Sequence, residues 1–588
     1  MKRIIALLLC LLTLSALLVG CADKEEEDKG AIIPVYLDTQ ITTFDPAYAY
    51  TDDAAIKFLG LIYQGLTEID AGGKLKNLLM KSYEYTEDPV KGKYELEITL
   101  NNTCWSDGRQ VMADDFVYAW KRILDPEFHS EAASMLYDIR NAKEANAGDV
   151  SIDDVGLYAA DITLIEVEFA HSIDPKVFLE YCASPALVPL REDIVAKGTD
   201  WSTNPAILVT SGPFGVRNFT PGTLIVLDRN IYYYRDIKKD GLKKYVTPYR
   251  LVMVMSKTAE EQVEDFKNGR VQYLDYIPLS LREEYAKKVT VQDTMNTHTY
   301  FFNTTRAPFD NADVRKALSM AIDREALADL VVYAKAATGF VPDGVGKVSG
   351  KKNFRALSGN VLSTSADIEG AKALISSAGV KTKSFTITIR ENEVDRAVAE
   401  YCAEQWKQLG FNVDIVSLGT KKYSENEYDM FADLFAAAYE DGDFDVIAID
   451  WQCLSTLAWS TFAPFARDFA GGKMDLAAGI EKGEFELTPH ITGYDSEEYN
   501  AVIEEAFAET DPAKRDEILV KAEKILAEDM PVMPLFVYQD AYVMSKSLGL
   551  SGAKTAFYGY RKFNKLSFKG YETFETEELN PKKKMVEE

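Results

Sequence analysis

The sequence predicts an α/β protein of two or three domains, and three observations lead there. Strand-like stretches of period two alternate with helix-like stretches of period 3.6 along most of the chain. At 588 residues the chain exceeds what one hydrophobic core organises. Its composition, 47% hydrophobic and 27% charged, is that of a folded protein with a large core. The net charge of −28 argues against nucleic acid as a partner, because phosphates require a basic surface. It names no cationic ligand, since solubility accounts for an acidic surface equally well.

The first segment reads as targeting rather than fold. Lys2-Arg3 followed by the apolar run Ile4 to Val19 has the charged and hydrophobic parts of a secretory signal over residues 1–20, with polar residues following too closely for a spanning helix. Leu18-Val19-Gly20-Cys21 resembles a bacterial lipobox, in which the cysteine is lipidated and becomes the first mature residue. Cys21 is therefore the expected lipidation site, and residues 21–30 a charged, flexible tether. Acyl chains bring about 0.8 kcal/mol per buried methylene, enough in combination to hold a folded domain on a membrane. An exported protein, lipid-anchored to the cell membrane and facing outside or into a periplasm, is the expectation.

The remaining elements follow in order. Ile56, Leu59, Ile62 and Tyr63 share a face of a helix from about Asp52, ahead of Gly65. Tyr94, Leu96, Ile98 and Leu100 alternate with Glu95, Glu97 and Thr99, a half-buried strand. Ser106-Asp107-Gly108 supplies a turn, after which Phe116, Val117, Trp120 and Leu124 recur at helical spacing behind Asp114 and Asp115, until Pro126. Ile162 to Phe169 reads as a strand, and Pro175, Pro185 and Pro189 mark a breaker-rich stretch before a boundary near Thr199 to Asn204. Leu251 to Met255 is a strand and Glu260 to Arg270 a helix. Val314, Leu318, Ala321 and Ile322 lie on one helical face, with Arg315, Asp323 and Arg324 read as a solvated or capping charge set. Helices at Asp367–Ala378 and Val394–Leu409, each followed by glycine, alternate with strands at Phe385–Ile389 and Phe411–Val416. Phe444 to Trp451 is a further strand, and Tyr499–Glu509 and Lys514–Glu528 are paired helices before the strand Pro531–Tyr538.

Chemistry-bearing motifs are scarce. The chain has no GxSxG elbow, HExxH, GxxxxGK[ST] or CxxC, and Gly344-Val345-Gly346 lacks the strand and helix of a dinucleotide fingerprint. Cys104, Cys182, Cys402 and Cys453 remain after the leader, none near a histidine at metal-ligand spacing, and their pairing is left open beside their reading as small buried residues. The four histidines, His129, His171, His298 and His490, are far apart in sequence and read as surface or satisfied core residues. No cofactor, metal or catalytic residue is expected.

Several segments carry a resemblance. Trp105-Ser106-Asp107-Gly108, Ala113, Asp115-Phe116-Val117-Tyr118, Trp120-Lys121-Arg122 and Asp125-Pro126 are similar to the signature of bacterial family 5 extracellular solute-binding proteins, the oligopeptide-, dipeptide- and nickel-binding receptors of ABC importers. The same holds for Asp45-Pro46, Tyr63-Gln64-Gly65-Leu66, Ser211-Gly212-Pro213-Phe214, the block from Tyr300 to Arg324, and Pro531 to Tyr538. The resemblance runs in the family's order from about Ile32 to Tyr542.

It implies a two-lobed, type II periplasmic-binding-protein-like fold of three domains with a hinge between lobes. Domain I would comprise residues 31–76, 206–300 and 536–588, domain II residues 77–205 and domain III residues 301–535. An oligopeptide would lie between lobes like an added strand, delivered to an ABC permease served by an ATPase, by a receptor that is itself monomeric. The ligand-binding positions this points to are Ile41, Thr42, Thr43 and Phe44 on one side and Ile449, Asp450, Trp451, Gln452 and Leu454 on the other. The chain departs from the family at one of these. Peptide-binding members carry an aspartate three residues after a tryptophan, where it meets the peptide's α-ammonium, whereas here Leu454 follows Trp451 and Ala458 stands near the family's proline. A leucine cannot hold a desolvated ammonium, so free N-termini would not be selected by that contact, and the alternatives are blocked or internal peptide segments, a different solute, or Asp450 or another acid as substitute. Receptors for nickel chelate or haem, a lipid-anchored sensor and a secreted hydrolase are the alternatives left open.

Overall fold

The computed structural model describes residues 30–37, 41, 43–49, 53–70, 73–128, 130–233, 245–346, 353–425, 428–470, 490–550, 558 and 562–573. Cys21, Thr42 and His129 fall outside these residues.

In chain order the strands are β1 (Ile32–Tyr36), β2 (Thr67–Ile69), β3 (Leu75–Asn77), β4 (Met80–Asp88), β5 (Lys93–Leu100), β6 (Leu157–Asp161), β7 (Leu164–Glu168), β8 (Phe214–Thr220), β9 (Leu224–Arg229), β10 (Arg250–Val254), β11 (Tyr273–Leu274), β12 (Thr290–Phe302), β13 (Ala334–Ala336), β14 (Ser384–Arg390), β15 (Asn412–Leu418), β16 (Thr420–Glu425), β17 (Tyr428–Asp433), β18 (Val446–Gln452), β19 (Val532–Met544), β20 (Leu548–Leu550) and β21 (Leu566–Phe568). One large mixed sheet runs β15-β14-β18-β12-β19-β11-β1-β10-β9-β8, with β13 also on β19. A separate antiparallel sheet, β4-β5-β7-β6, is built within residues 80–168.

Two strands span the large sheet. β12 and β19 are 13 residues each and pair antiparallel, Thr290–Asp293 with Gln539–Tyr542 and Thr297–Phe301 with Val532–Val537, with register irregularities between Asp293 and Thr297 and between His298 and Thr299. Extra residues in a ladder bend and twist it, so the sheet curls as it passes from β11 and β1 at one end to β18 and β14 at the other. The divisions drawn from the sequence at 300/301 and 535/536 fall inside these two strands.

The signature segment folds as its period predicts, and local hydrogen bonds explain its letters. β5 leads through the Ser106–Gly108 turn, where Gly108 has φ +89°, into a helix over Ala113–Leu124. Asp115, buried in that helix's first turn, accepts from the Trp105 indole at 2.8 Å and from the Met112 amide at 2.9 Å. Phe116, Trp120 and Leu124 are wholly buried, and the Trp120 indole donates to the Leu187 carbonyl. Arg122 forks onto Asp45 at 3.0 and 2.7 Å, which joins the Asp45-Pro46 pair to the signature helix across 77 positions of sequence. Gly212 is required by close approach: a Cβ there would lie 2.6 Å from the Ile62 backbone, and its amide donates to the Ile62 carbonyl.

Three expectations are corrected. The breaker-rich stretch contains a helix, Pro175–Tyr181, because proline is tolerated at a helix's first position and Asp174 caps it by accepting from the Lys176 amide. The strand expected from Ile162 starts at Leu164, and Ile162 is exposed. Arg315 and Arg324 are buried rather than solvated. Arg315 donates to the carbonyls of Phe309, Asp529 and Met530, and Arg324 to the Pro534 carbonyl and the Ser319 hydroxyl, while Asp323 caps the helix Arg324–Val331. Each arginine ties a helix to the return of the chain into β19, a role that guanidinium forks fill without a carboxylate. Cys104, Cys182, Cys402 and Cys453 are all buried, and burial pushes the Cys402 and Cys453 thiols up to about 12.

Candidate functional site

β18 brings most of the sequence-predicted ligand positions into one neighbourhood. Its burial falls along the strand, from buried Val446–Ala448 to half-buried Ile449, Asp450 and Trp451, and Gln452 then returns to the interior at 3% exposure. Trp451 packs edge-on against Phe301 and Phe465 with ring centroids 6.0 and 5.6 Å away. Leu454 is buried, and its carbonyl accepts from the Tyr558 hydroxyl at 3.3 Å.

Trp451, Gln452 and Leu454 line a cavity of about 10 Å³ together with Ser460, Thr461, Pro464, Phe465, His490 and Glu131. Glu131 opens the helical turn Glu131–Leu136, which follows the helix Ala113–Leu124 in the chain, so the cavity is closed by a segment remote in sequence from β18. Burial lifts its carboxyl to about 7, although the Tyr439 hydroxyl hydrogen-bonds it and favours the ionised form. His490 Nε2 is 3.6 Å from Glu131 Oε1. Burial also holds the His490 imidazole neutral, down to about 3, with Nδ1 beside the Thr492 hydroxyl at 2.9 Å. The Gln452 Oε1 atom has no hydrogen-bond partner among the described residues, and neither has the amide of Asn296, which faces Gln452 across the β12–β18 ladder.

Asp450 has a different environment. Its Oδ1 lies 2.9 Å from Nδ1 of the fully buried His298, a nitrogen that also meets the Tyr538 hydroxyl at 3.1 Å. His298, Asp395 and Asp450 each offer one atom within 4.8 Å of the others, a spacing a divalent ion would accept, yet strand pairing and an ordinary imidazole–carboxylate hydrogen bond account for His298 and Asp450 without one, and Asp395 comes from the first turn of the helix Glu393–Lys407. Burial and the neighbouring Asp450 charge raise Asp395 to about 6.

The earlier segment is placed elsewhere. Ile41 and Phe44 are buried, and the Phe44 ring packs on Phe58 and Phe219 in the core. The Thr43 hydroxyl pairs with that of Ser202 at 2.8 Å, and the Phe44 amide donates to the Ser202 carbonyl. None of these three lines the cavity at Trp451. The lining residues that sequence reasoning missed are Glu131, Ser460, Thr461, Pro464, Phe465 and His490. Glu131 is one of 93 acidic residues, and nothing in its local pattern separates it from the others.

Further contacts join the segments around the two sheets. Thr456 donates to Glu180 at 3.1 Å, the Trp459 indole to the Ser134 carbonyl at 3.4 Å, and Lys143 pairs with Glu504 at 2.9 Å. The Cys453 thiol is protonated, and its near neighbour is the Thr461 hydroxyl.

Comparison with known proteins agrees with this architecture. The family described as bacterial extracellular solute-binding proteins, family 5 Middle, matches residues 74–471. The oligopeptide-binding protein OppA of Bacillus subtilis is 26% identical over 541 residues, covering 90% of this chain and 91% of that protein. Among solved structures, the murein tripeptide binding protein MppA of Escherichia coli superposes with a TM-score of 0.74 at 20% identity, covering 92% of this chain and 98% of that one. OppA of Haemophilus influenzae, in complex with the peptide RPPGFSPFR, gives 0.72 at 23% identity, covering 92% and 99%. The fold is thus the mixed α/β, type II periplasmic-binding fold of these proteins.

Proposed function

We infer the role of this chain from its kinship: it belongs to the bacterial extracellular solute-binding proteins of family 5, and we propose that it is the lipid-anchored substrate receptor of an ABC importer, with oligopeptides as its solute. The observation that carries this reading is the convergence of the end of β18 with the Glu131 segment around a cavity that has recognition groups and no catalytic set. Oligopeptide is the solute named for the Bacillus subtilis relative and found with the Haemophilus influenzae one.

In this reading residues 1–20 direct export, Cys21 carries the lipid and residues 21–30 form the tether. The domains assigned from the sequence close on the solute by hinge motion and present it to a permease whose ATPase supplies the energy. The protein does no chemistry on what it binds.

The test is mass spectrometry of small molecules that copurify with protein made in its native host. Peptides of a few residues, recovered intact, are expected. A non-peptide solute recovered at stoichiometric amounts would replace the peptide reading, and shortened peptides after incubation would replace the receptor reading with a hydrolase.

A further inference from the structure

A larger cavity lies at the far end of the strands from the Ile41–Phe44 segment. Phe214 pairs with Arg229, Asp228 with Arg250 and Arg250 with Ile32, so the starts of β8, β10 and β1 and the end of β9 share one edge of the large sheet. Pro213, Tyr233 and Tyr245, just beyond that edge, line the cavity. Ile41 and Phe44 follow the opposite end of β1, and the Phe44 ring packs on Phe219, near the opposite end of β8. No lining residue is shared with the cavity at Trp451.

Volume and walls narrow what this cavity takes. Its volume of about 170 Å³ is space for on the order of ten water-sized groups, the size of a free amino acid with a leucine- or phenylalanine-sized side chain and too little for a tripeptide. Leu59, Leu78, Pro185, Val188 and Phe563 supply apolar wall, and one ion pair supplies charge, Lys562 on the buried Glu68. The pair has hydrogen-bonding capacity to spare. Among the described residues the Glu68 carboxylate accepts only at Oε1, from Lys562, and that ammonium spends one of its three donors there. Tyr63 and Gln64, also in the wall, each carry a buried oxygen with no hydrogen-bond partner among the described residues. The Lys562 side chain is 34% exposed, so the pair is reachable from solvent. A ligand with net charge of either sign would meet one member of the pair that repels it, whereas a zwitterion set head to tail on the pair is attracted by both.

We propose that this cavity is a second ligand site, taking one free α-amino acid with an apolar side chain. Its carboxylate accepts from the remaining Lys562 N–H groups, its ammonium donates to the second Glu68 oxygen, and its side chain lies against Leu59, Leu78, Val188 and Phe563. The site goes beyond the receptor reading, because the residues that hold the amino acid are not those a peptide would meet at β18, and its occupancy requires no peptide.

The experiment is equilibrium dialysis of radiolabelled L-leucine and L-phenylalanine against the purified full-length protein. Competitors are leucinol, which lacks the carboxylate, and N-acetyl-leucine, which lacks the ammonium. One amino acid per chain is expected to bind at saturation, and each competitor to act at least about tenfold more weakly than unlabelled leucine. Lys562→Met and Glu68→Gln are each expected to weaken binding at least about tenfold, and Val188→Trp, which fills the cavity, to abolish it. Absence of saturable binding by both amino acids overturns the site. Competition by leucinol or N-acetyl-leucine equal to that of leucine overturns it too, since the zwitterion is then not what is recognised. Binding undiminished in Lys562→Met, or retained in Val188→Trp protein whose melting temperature is unchanged, puts the amino acid elsewhere and overturns the assignment. Where Val188→Trp fails to fold, the wild-type competition and Lys562→Met decide.

Discussion

His298 Nδ1 lies 2.9 Å from Asp450 Oδ1, and the antiparallel pairing of β12 with β18 sets these two residues directly opposite one another. The imidazole has no exposed surface, whereas the Asp450 side chain is 39% exposed, so the bond joins a fully buried ring to a carboxylate that still meets solvent. Phe536 stacks on the ring with centroids 5.0 Å apart. Asp450 serves the imidazole in this arrangement, and Glu131 is left as the carboxylate that meets the cavity.

Asp450→Asn should therefore act on stability. Burial by itself lowers the His298 pKa, but the Asp450 hydrogen bond and the Asp395 and Asp450 charges outweigh it, and the pKa is raised. A raised imidazole pKa contributes stability that is present below the unfolded value and is lost as pH rises through the folded one. Asp450→Asn is expected to lower the unfolding free energy by about 1–2 kcal/mol at pH 6 and by clearly less at pH 9. Equal losses in urea titrations at the two pH values would remove the charged pair from the account.

Glu180 predicts the opposite slope for its own removal. Burial raises its carboxyl to about 7, while Thr456 donates to it at 3.1 Å. A carboxyl raised on folding favours its protonated form there, so its contribution is fully present below the unfolded carboxylate value and is lost as pH climbs through about 7. Glu180→Gln should leave the melting temperature nearly unchanged at pH 5 and raise it by about 2 °C at pH 8.5. Differential scanning calorimetry decides this, and a variant less stable at pH 8.5 would contradict it.

The most deeply set ion pair joins Arg355 to Glu523. Glu523 has no exposed surface and accepts from Arg355 Nη1 at 2.6 Å and from the Phe340 amide at 3.0 Å, with Arg355 Nη2 and the Ser358 hydroxyl on its second oxygen. Arg355→Met strands that carboxylate and should cost about 3–5 kcal/mol, most of which the Arg355→Met, Glu523→Leu double variant should recover. Additive losses in the double variant would show that packing, not charge, holds this junction.

Ligand-coupled closure is expected to be visible in solution. The bonds Thr456–Glu180, Trp459–Ser134 and Lys143–Glu504 all join segments far apart in sequence. Small-angle scattering should give a smaller radius of gyration on saturation with a verified ligand. An unchanged radius at saturation counts against a hinge.

The proposed lipid anchor is open to a direct test. Cys21→Ser should move the protein expressed in a bacterial host from the detergent phase to the aqueous phase, or leave it unprocessed. Identical partitioning of wild type and variant would exclude a lipid on that cysteine.

What the sequence determined by itself was whatever depends on near neighbours along the chain. The period of Tyr94–Leu100, the helix from Ala113 with its early aspartates, and the glycines at 379 and 410 that end helices are set by residues within a few positions of one another, and the structure has them where period and capping place them. Even the reason for Trp105 and Asp115 is short-range, since the two are 10 residues apart and meet through one turn. Tertiary structure alone decided which charges are buried and which residues share a cavity. Arg315 and Arg324 looked like solvent charges until β19 returned to meet them, and Glu131 looked like any other acid until β18 ended against it. A side chain's partner hundreds of residues away is chosen by strand register and by how the elements pack, neither of which leaves a mark in the local pattern of either residue.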